Sequence, residues 1–293
     1  MKIAIYGRSF NESYNAIIQE LFDRLALQQW DVYIFEAFYS YLKPRINFSQ
    51  TIKTYTALAD IKYWPEYLVS IGGDGSMLDS VALVKNSGIP ILGINTGRLG
   101  FLSNIFKDDI QAAIDALVTK NYKVEERSLI ELTCNGQTLF GENNLALNEF
   151  SIHKKDSSTM MTVHAYINDV YLNSYWADGL IVATPTGSTA YSMSCGGPIV
   201  LPDAKNFIIT PIAPHNLNVR PVVIPDNAVI RLKAEGRSSQ FLASLDSRSE
   251  TFNANHELIL KKAGFNINII QLHEQNFLST MRNKLMWGMD KRN

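Results

Sequence analysis

The stretch Gly72-Gly73-Asp74-Gly75-Ser76 sets one carboxylate among three glycines. Glycines without side chains let phosphates approach the backbone closely. A carboxylate in such a loop repels phosphate unless it has chemical work to do. It can accept a proton from an attacking hydroxyl, or hold Mg²⁺ on a nucleotide. The plainer alternative is an acid at a helix start, where Asp is favoured. Glycines on both sides of the acid favour the phosphate reading.

Other stretches also carry reactive or donor-rich side chains. Gly93-Ile94-Asn95-Thr96-Gly97-Arg98-Leu99-Gly100-Phe101 lacks the G-x-G-x-x-G spacing, and no Walker A lysine pattern occurs in the chain. Alone, this loop reads as a tight turn. Asn148-Glu149 puts an amide beside a carboxylate, a pair able to hold the vicinal hydroxyls of a ribose. Alone, such a pair is more often a solvated strand end. The run from Ala177 through Asp178 to Ser192 ends in small hydroxyl residues with Gly and Pro, and Tyr191 offers a flat face for a base. Gly196-Gly197-Pro198 then forces a bend. G-x-S-x-G is absent, which argues against acyl transfer.

The elements that must position these residues fall into two textures. Up to about residue 125, strand and helix signals alternate. Apolar runs at 3–7, 32–35, 67–71 and 91–94 read as strands, and Ile17, Ile18, Leu21, Phe22 and Leu25 recur at helical spacing. Residues 77–85 read as a helix stopped by Gly88 and Pro90. Ile110, Ile114, Leu117 and Val118 make another helix face, with Asp108 and Asp109 at its start. This rhythm predicts an α/β domain at 1–125, a Rossmann-like parallel sheet covered by helices. The glycine-acid loop follows a strand and precedes a helix, where ligands bind in open α/β sheets.

From 126 to 275 the chain reads as an all-β sandwich. Asn135-Gly136 sits between LIELTC and QTLF, and Asn168-Asp169 between TVHAYI and VYLNSYW, both as hairpin turns. Further strands are expected at 180–183, 207–211, 229–234 and 267–271. Residues 276–293 are expected to form a final helix that packs back on the first domain.

Composition sets the bounds. The chain has 293 residues, of which 46% are apolar, enough for a sizeable core. Lys and Arg total 27 against 28 Asp and Glu, a net charge of −1, which argues against a nucleic-acid partner. Two cysteines and five scattered histidines give neither a disulfide framework nor metal-ligand spacing. No signal-peptide core and no membrane-length apolar stretch is legible, so a soluble cytoplasmic protein is expected.

Together these pieces resemble the NAD kinase family. The matching residues are GGDG at 72–75, NE at 148–149, DGLIVATPTGSTAYS at 178–192, GGP at 196–198 and PHNLNVRPVVI at 214–224. Their order and spacing fit over nearly the whole chain. GGDG by itself is shared with diacylglycerol and sphingosine kinases. The TPTGSTAYS run with the NE pair is far more specific.

The resemblance implies transfer of the γ-phosphoryl group of ATP to the 2′-hydroxyl of the adenosine ribose in NAD. It implies that Asp74 is the general base and that Gly72, Gly73 and Gly75 cradle ATP phosphates. Asn148 and Glu149 would hold the ribose and phosphates of NAD. Thr189, Ala190, Tyr191 and Ser194 would form the adenine pocket, with Ser192 and Met193 in the same binding run. Asp178 would bind the nicotinamide carboxamide. Mg²⁺ or another divalent cation would accompany ATP, with no dedicated protein cage. The implied partners are NAD, ATP and further copies of the chain, as a homodimer or homotetramer, with neither nucleic acid nor membrane. A neighbouring subunit would meet the nicotinamide end, so Asp74 and Asp178 of one site are expected from different chains.

Two positions depart from the family. Trp176 stands where several bacterial relatives carry Arg or Lys, placing a stacking surface where a cation is usual. Arg248 stands where relatives often carry Gln, and both residues are expected at the NAD site. Two competing readings are a lipid kinase of the GGDG type and a non-catalytic NAD or NADP sensor. The first expects a basic amphipathic helix, and none stands out. The second expects loss of the loop acid, and Asp74 is present.

Overall fold

The computed structural model describes residues 1–61, 65–97, 100–103, 105–106, 109–155, 160–273 and 275–287. The chain divides into two compact units, one of residues 1–126 and 267–293, the other of 127–266.

The first unit is built on a seven-stranded sheet. Its strands run in the order Lys53–Tyr55, Asp31–Phe35, Lys2–Gly7, Tyr67–Gly72, Ile91–Asn95, Ile267–Gln271, Lys123–Arg127. Neighbouring strands pair in parallel from the first of these through Ile267–Gln271. The central strands Tyr67–Gly72 and Ile91–Asn95 are buried at every position, as strands covered on both faces must be. That is why they read as unbroken apolar runs rather than as alternation. The helix Asn15–Leu27 buries Ile18, Leu21, Phe22 and Leu25, one stripe at helical spacing. Burying each of these contributes about 1.5–3 kcal/mol. The helix Asp74–Val84 starts directly after the glycine loop, and Gly88 (φ 73°) ends the turn that follows it. Asp109 occupies the cap of the helix Ile110–Thr119 without a side-chain capping bond. Asp108, the other acid expected there, lies outside the described residues.

The second unit is a sandwich of two six-stranded sheets. One runs Val170–Ala177, Met161–Ile167, Ile230–Gly236, Glu257–Lys262, Ile130–Cys134, Leu145–Ala146. The other runs Val222–Pro225, Asn206–Ile212, Gly179–Ala183, Glu149–Lys154, Gln240–Leu245, Arg248–Asn253. All their pairings are antiparallel. Strands such as Met161–Ile167 alternate buried and half-buried positions, the pattern of a sheet with one face in a core. Asn168 and Asp169 take left-handed conformations (φ 49° and 64°) and close the expected hairpin.

Two expectations are corrected. The segment Ile267–Gln271, expected in the β half, belongs to the parallel sheet, where Ile269 pairs with Ile91. A five-residue apolar run specifies a buried strand but not its partner. Asn135-Gly136 does turn the chain, yet QTLF does not return as a strand. Ile130–Cys134 pairs instead with Leu145–Ala146 and Glu257–Lys262. Phe140 sits at φ 61°, which interrupts extension there. Among the described residues, no helix is long and apolar enough to cross a membrane.

Candidate active site

Gly72 ends a buried strand, Gly73 caps the following helix, and Asp74 is its first residue. The amides of a first helical turn have no intrahelical acceptor, and with the helix dipole they favour an anion. The space beside Gly73 is open, with no atom within 4 Å of where a Cβ would stand. The Arg8 guanidinium, paired with Asp79 at 2.6 Å, lies beside Gly75.

The Asp74 carboxylate is held by the loop that the sequence offered only as a turn. The Phe101 N–H donates to Oδ2 at 2.9 Å; those of Leu102 and Ser103 donate to Oδ1 at 3.0 and 3.2 Å. Gly100 makes this approach possible, because a Cβ there would lie 2.0 Å from Asp74 Oδ1. Asn95 fixes the loop from beneath, accepting the Gly97 N–H at 2.7 Å and donating to the Ser103 carbonyl at 3.2 Å. Arg98 and Leu99 lie outside the described residues. The helix Phe277–Leu285 closes the group: Phe277 packs on the Phe101 ring, and Lys284 lies 4.0 Å from Asp74 Oδ2. Sequence reasoning named Phe101 only as the end of a turn and missed Leu102, Ser103 and Lys284. The available signal was the glycine-rich loop after the strand Ile91–Asn95, at the same sheet end as GGDG.

In the second unit the structure brings the NE pair and the TPTGSTAYS turn together. The Thr184 N–H donates to the Asn148 carbonyl at 2.9 Å, and the Thr184 hydroxyl to the Leu147 carbonyl at 2.5 Å. Gly187 must be glycine, since a Cβ would stand 2.0 Å from the Asn148 carbonyl oxygen. The Tyr191 N–H donates to the Glu149 carboxyl. Burial first, and the nearby Asp246 second, push Glu149 up to about 8. Its neutral form is thereby favoured, and its Oε2 is buried without a partner among the described residues. A neutral carboxyl there can donate one hydrogen bond as well as accept.

Around this pair, Tyr191 stacks on His153, ring centroids 5.8 Å apart. Burial pushes His153 below the ordinary histidine range, against the opposing effect of Asp178, so the stacked ring favours its neutral form. Asp178 pairs with Lys154 at 2.5 Å. Trp176 is 57% exposed, an available stacking surface on its strand. Ala190, Met193 and Ser194 retain surface, whereas Thr189 is nearly buried. Two expected binding residues have partners inside the unit. Ser192 is fully buried, its hydroxyl 2.8 Å from that of Thr210. The Arg248 guanidinium donates to the carbonyls of Asn143 and Leu145. Its neighbour Asp246, overlooked in the sequence, accepts the N–H groups of Leu147, Asn148 and Glu149. Asp246 and Arg248 thus brace the NE segment from the turn between Gln240–Leu245 and Arg248–Asn253.

Comparison with known proteins agrees with both units. Residues 11–122 match the ATP-NAD kinase N-terminal domain, and 147–272 match the ATP-NAD kinase C-terminal domain. The chain is 47% identical to the NAD kinase of Flavobacterium psychrophilum and 41% identical to that of Bacteroides fragilis, each over the full length of both chains. The structure of yeast NADH kinase complexed with NADH superposes with a TM-score of 0.89 at 22% identity, over 99% of this chain and 88% of that one. An NAD kinase from Archaeoglobus fulgidus in complex with ATP gives 0.74 at 26% identity, over 98% of each chain. With its glycine-acid loop, its NE pair and full-length relatives at this identity, the chain belongs to the NAD kinase family.

Proposed function

We propose that this chain, as a cytoplasmic homo-oligomer, transfers the γ-phosphoryl group of ATP to the 2′-hydroxyl of the adenosine ribose of NAD, with Asp74 as general base. The observation that carries the base assignment is how the Asp74 carboxylate is held. A carboxylate has about four acceptor positions. Three are taken by backbone N–H groups, two on Oδ1 and one on Oδ2. The position left on Oδ2 can receive a substrate hydroxyl and then its proton. Phosphoryl transfer rests mostly on positioning and charge compensation, with such a base assisting the hydroxyl.

Gly72, Gly73 and Gly75 take the phosphates of ATP at the helix start. Among the described residues, no three His, Cys, Asp or Glu side chains converge into a metal cage. The divalent cation, Mg²⁺ by expectation, would accompany ATP and offset phosphate charge. In the second unit Asn148 and Glu149 take the ribose, and Thr189, Ala190, Tyr191, Met193 and Ser194 the adenine. Asp178 and Trp176 meet the nicotinamide end. Ser192 and Arg248 serve the site by holding its backbone.

The test is incubation of the pure protein with Mg-ATP and NAD. NADP should form, while diacylglycerol and sphingosine stay unphosphorylated; lipid turnover without NADP would sink the assignment. Asp74→Asn should lose about 10²–10⁴-fold in rate yet still bind NAD by calorimetry. Loss of binding together with rate would make Asp74 a binding residue. Asp74→Asn and Asp178→Ala chains, each nearly inactive alone, should regain activity when co-refolded, because a symmetric oligomer repeats one interface. Mixed oligomers without activity would place both acids in one chain.

A further inference from the structure

The C-terminal helix carries a cation to the Asp74 carboxylate. Phe277 and Lys284 stand two turns apart on Phe277–Leu285, so they share a face. Both meet Phe101: the Phe277 ring centroid lies 5.9 Å away, and the Lys284 ammonium stands 4.3 Å from the Phe101 ring centre. The Phe101 N–H is also the donor on Asp74 Oδ2. One side chain therefore fixes the loop through its ring while that loop's backbone fixes the carboxylate.

Lys284 lies 4.0 Å from Oδ2, the oxygen with an acceptor position left over. That distance is too long for a hydrogen bond, so the lysine leaves the position free. It is short enough for the two charges to attract, with only 32% of the Lys284 and 31% of the Asp74 side-chain surface exposed. Among the described residues, Lys284 is the only cation within 4.0 Å of this carboxylate. A phosphoryl group arriving at Asp74 brings negative charge against negative charge. A fixed ammonium beside Oδ2 offsets that repulsion and keeps the carboxylate from turning away.

We propose that Lys284 is a positioning residue for phosphoryl transfer, clamping the Phe101 loop and holding Asp74 toward the reacting hydroxyl. The inference rests on Asp74 acting at that hydroxyl, as proposed for the function. It predicts a defect in kcat rather than in NAD affinity, and a defect that exists only while Asp74 is present.

The experiment is a double-mutant cycle with steady-state kinetics. Lys284→Met should lower kcat about 10- to 100-fold, with KM for NAD little changed. Lys284→Arg should recover most of the loss, since a guanidinium can rest on the Phe101 ring and face Oδ2. Arg282→Gln, which removes a charge from the same helix, should leave kcat unchanged. In the Asp74→Asn background, Lys284→Met should cause no further loss. Thermal melting of each variant separates a misfolded helix from a misplaced carboxylate, and Lys284→Arg keeps the test valid if Lys284→Met melts early. Wild-type kcat in Lys284→Met, or a loss that adds fully to that of Asp74→Asn, overturns the proposal. Wild-type kcat in Asp74→Asn overturns the base assignment instead, so the two failures are distinct.

Discussion

The Asp246 carboxylate accepts the backbone N–H of Asn148 at 2.8 Å, and so joins a hairpin turn to the NE pair. The same carboxylate takes Leu147 N–H at 2.9 Å and Glu149 N–H at 3.2 Å. Asp246 itself is at φ 52° in a two-residue turn with Ser247, which aims its side chain back along the neighbouring strand. The segment proposed to hold a ribose is thus fixed through its backbone.

Removing this brace should be costly. Asp246→Ala leaves three N–H groups without their acceptor, and each buried unsatisfied donor costs about 1–3 kcal/mol. Partial solvation of the gap reduces the sum, and a total loss of about 2–4 kcal/mol is expected. Asp246→Asn keeps one acceptor oxygen and should fall between the two. Urea denaturation measures the loss, and KM for NAD should rise in parallel. Unchanged stability in Asp246→Ala would show that the three bonds contribute nothing net.

Glu149 gives a pH dependence with a definite sign. Its folded value, about 8, lies above its ordinary value of 4.5. The folded state therefore holds the proton more tightly than the unfolded chain does. The resulting stability is fully present below about pH 4.5 and is lost as pH rises toward 8. Glu149→Gln cannot ionise and should escape that loss. Between pH 5 and 8, the wild-type protein should lose on the order of 3–4 kcal/mol relative to Glu149→Gln, since a tenfold difference in proton affinity is worth about 1.4 kcal/mol. Chemical denaturation at the two pH values reads this directly. Parallel pH curves for the two proteins would mean that Glu149 ionises freely in the fold.

The strands and helices that carry the motifs were legible because local periodicity reports local geometry. Ile18, Leu21, Phe22 and Leu25 announce their helix, and the run before Gly72 announces a buried strand. The partners of those elements were less legible. Ile267–Gln271 reads the same whether it joins a parallel sheet or a sandwich. The strands Gln240–Leu245 and Arg248–Asn253 alternate as strands should, with Asp246-Ser247 between them. That turn could have been read as a hairpin, but nothing local says that Asp246 reaches Asn148. Lys284 is the extreme case. On its own helix it is one more surface lysine, and only the fold of the first unit sets it beside Asp74. GGDG was legible because its requirement is local: a tight turn from strand to helix needs glycines in sequence. The clamp on its acid was not, since Phe101, Leu102 and Ser103 serve Asp74 through backbone groups that any residue supplies.

That backbone clamp makes the neighbouring glycine a sharp probe. A Cβ at Gly100 would stand 2.0 Å from Asp74 Oδ1 and 2.5 Å from its Cγ, far inside contact distance. In Gly100→Ala either the carboxylate turns or the loop withdraws, and both break the bonds from Leu102 and Ser103. The hydroxyl and phosphoryl partners of the reaction tolerate little displacement, and a displacement of about 1 Å in a reacting group can cost about 10²-fold in rate. Gly100→Ala should therefore lower kcat by about that factor while NAD binding by calorimetry is retained, because the residues proposed to bind NAD lie in the other unit. Gly264→Ala serves as the control, since no atom lies within 4 Å of its added methyl, and it should melt and turn over like the wild type. If Gly100→Ala turns over at the wild-type rate with an unchanged melting temperature, then Asp74 does not need its amide clamp. The geometry at Oδ2 would then not be the geometry that the reaction uses.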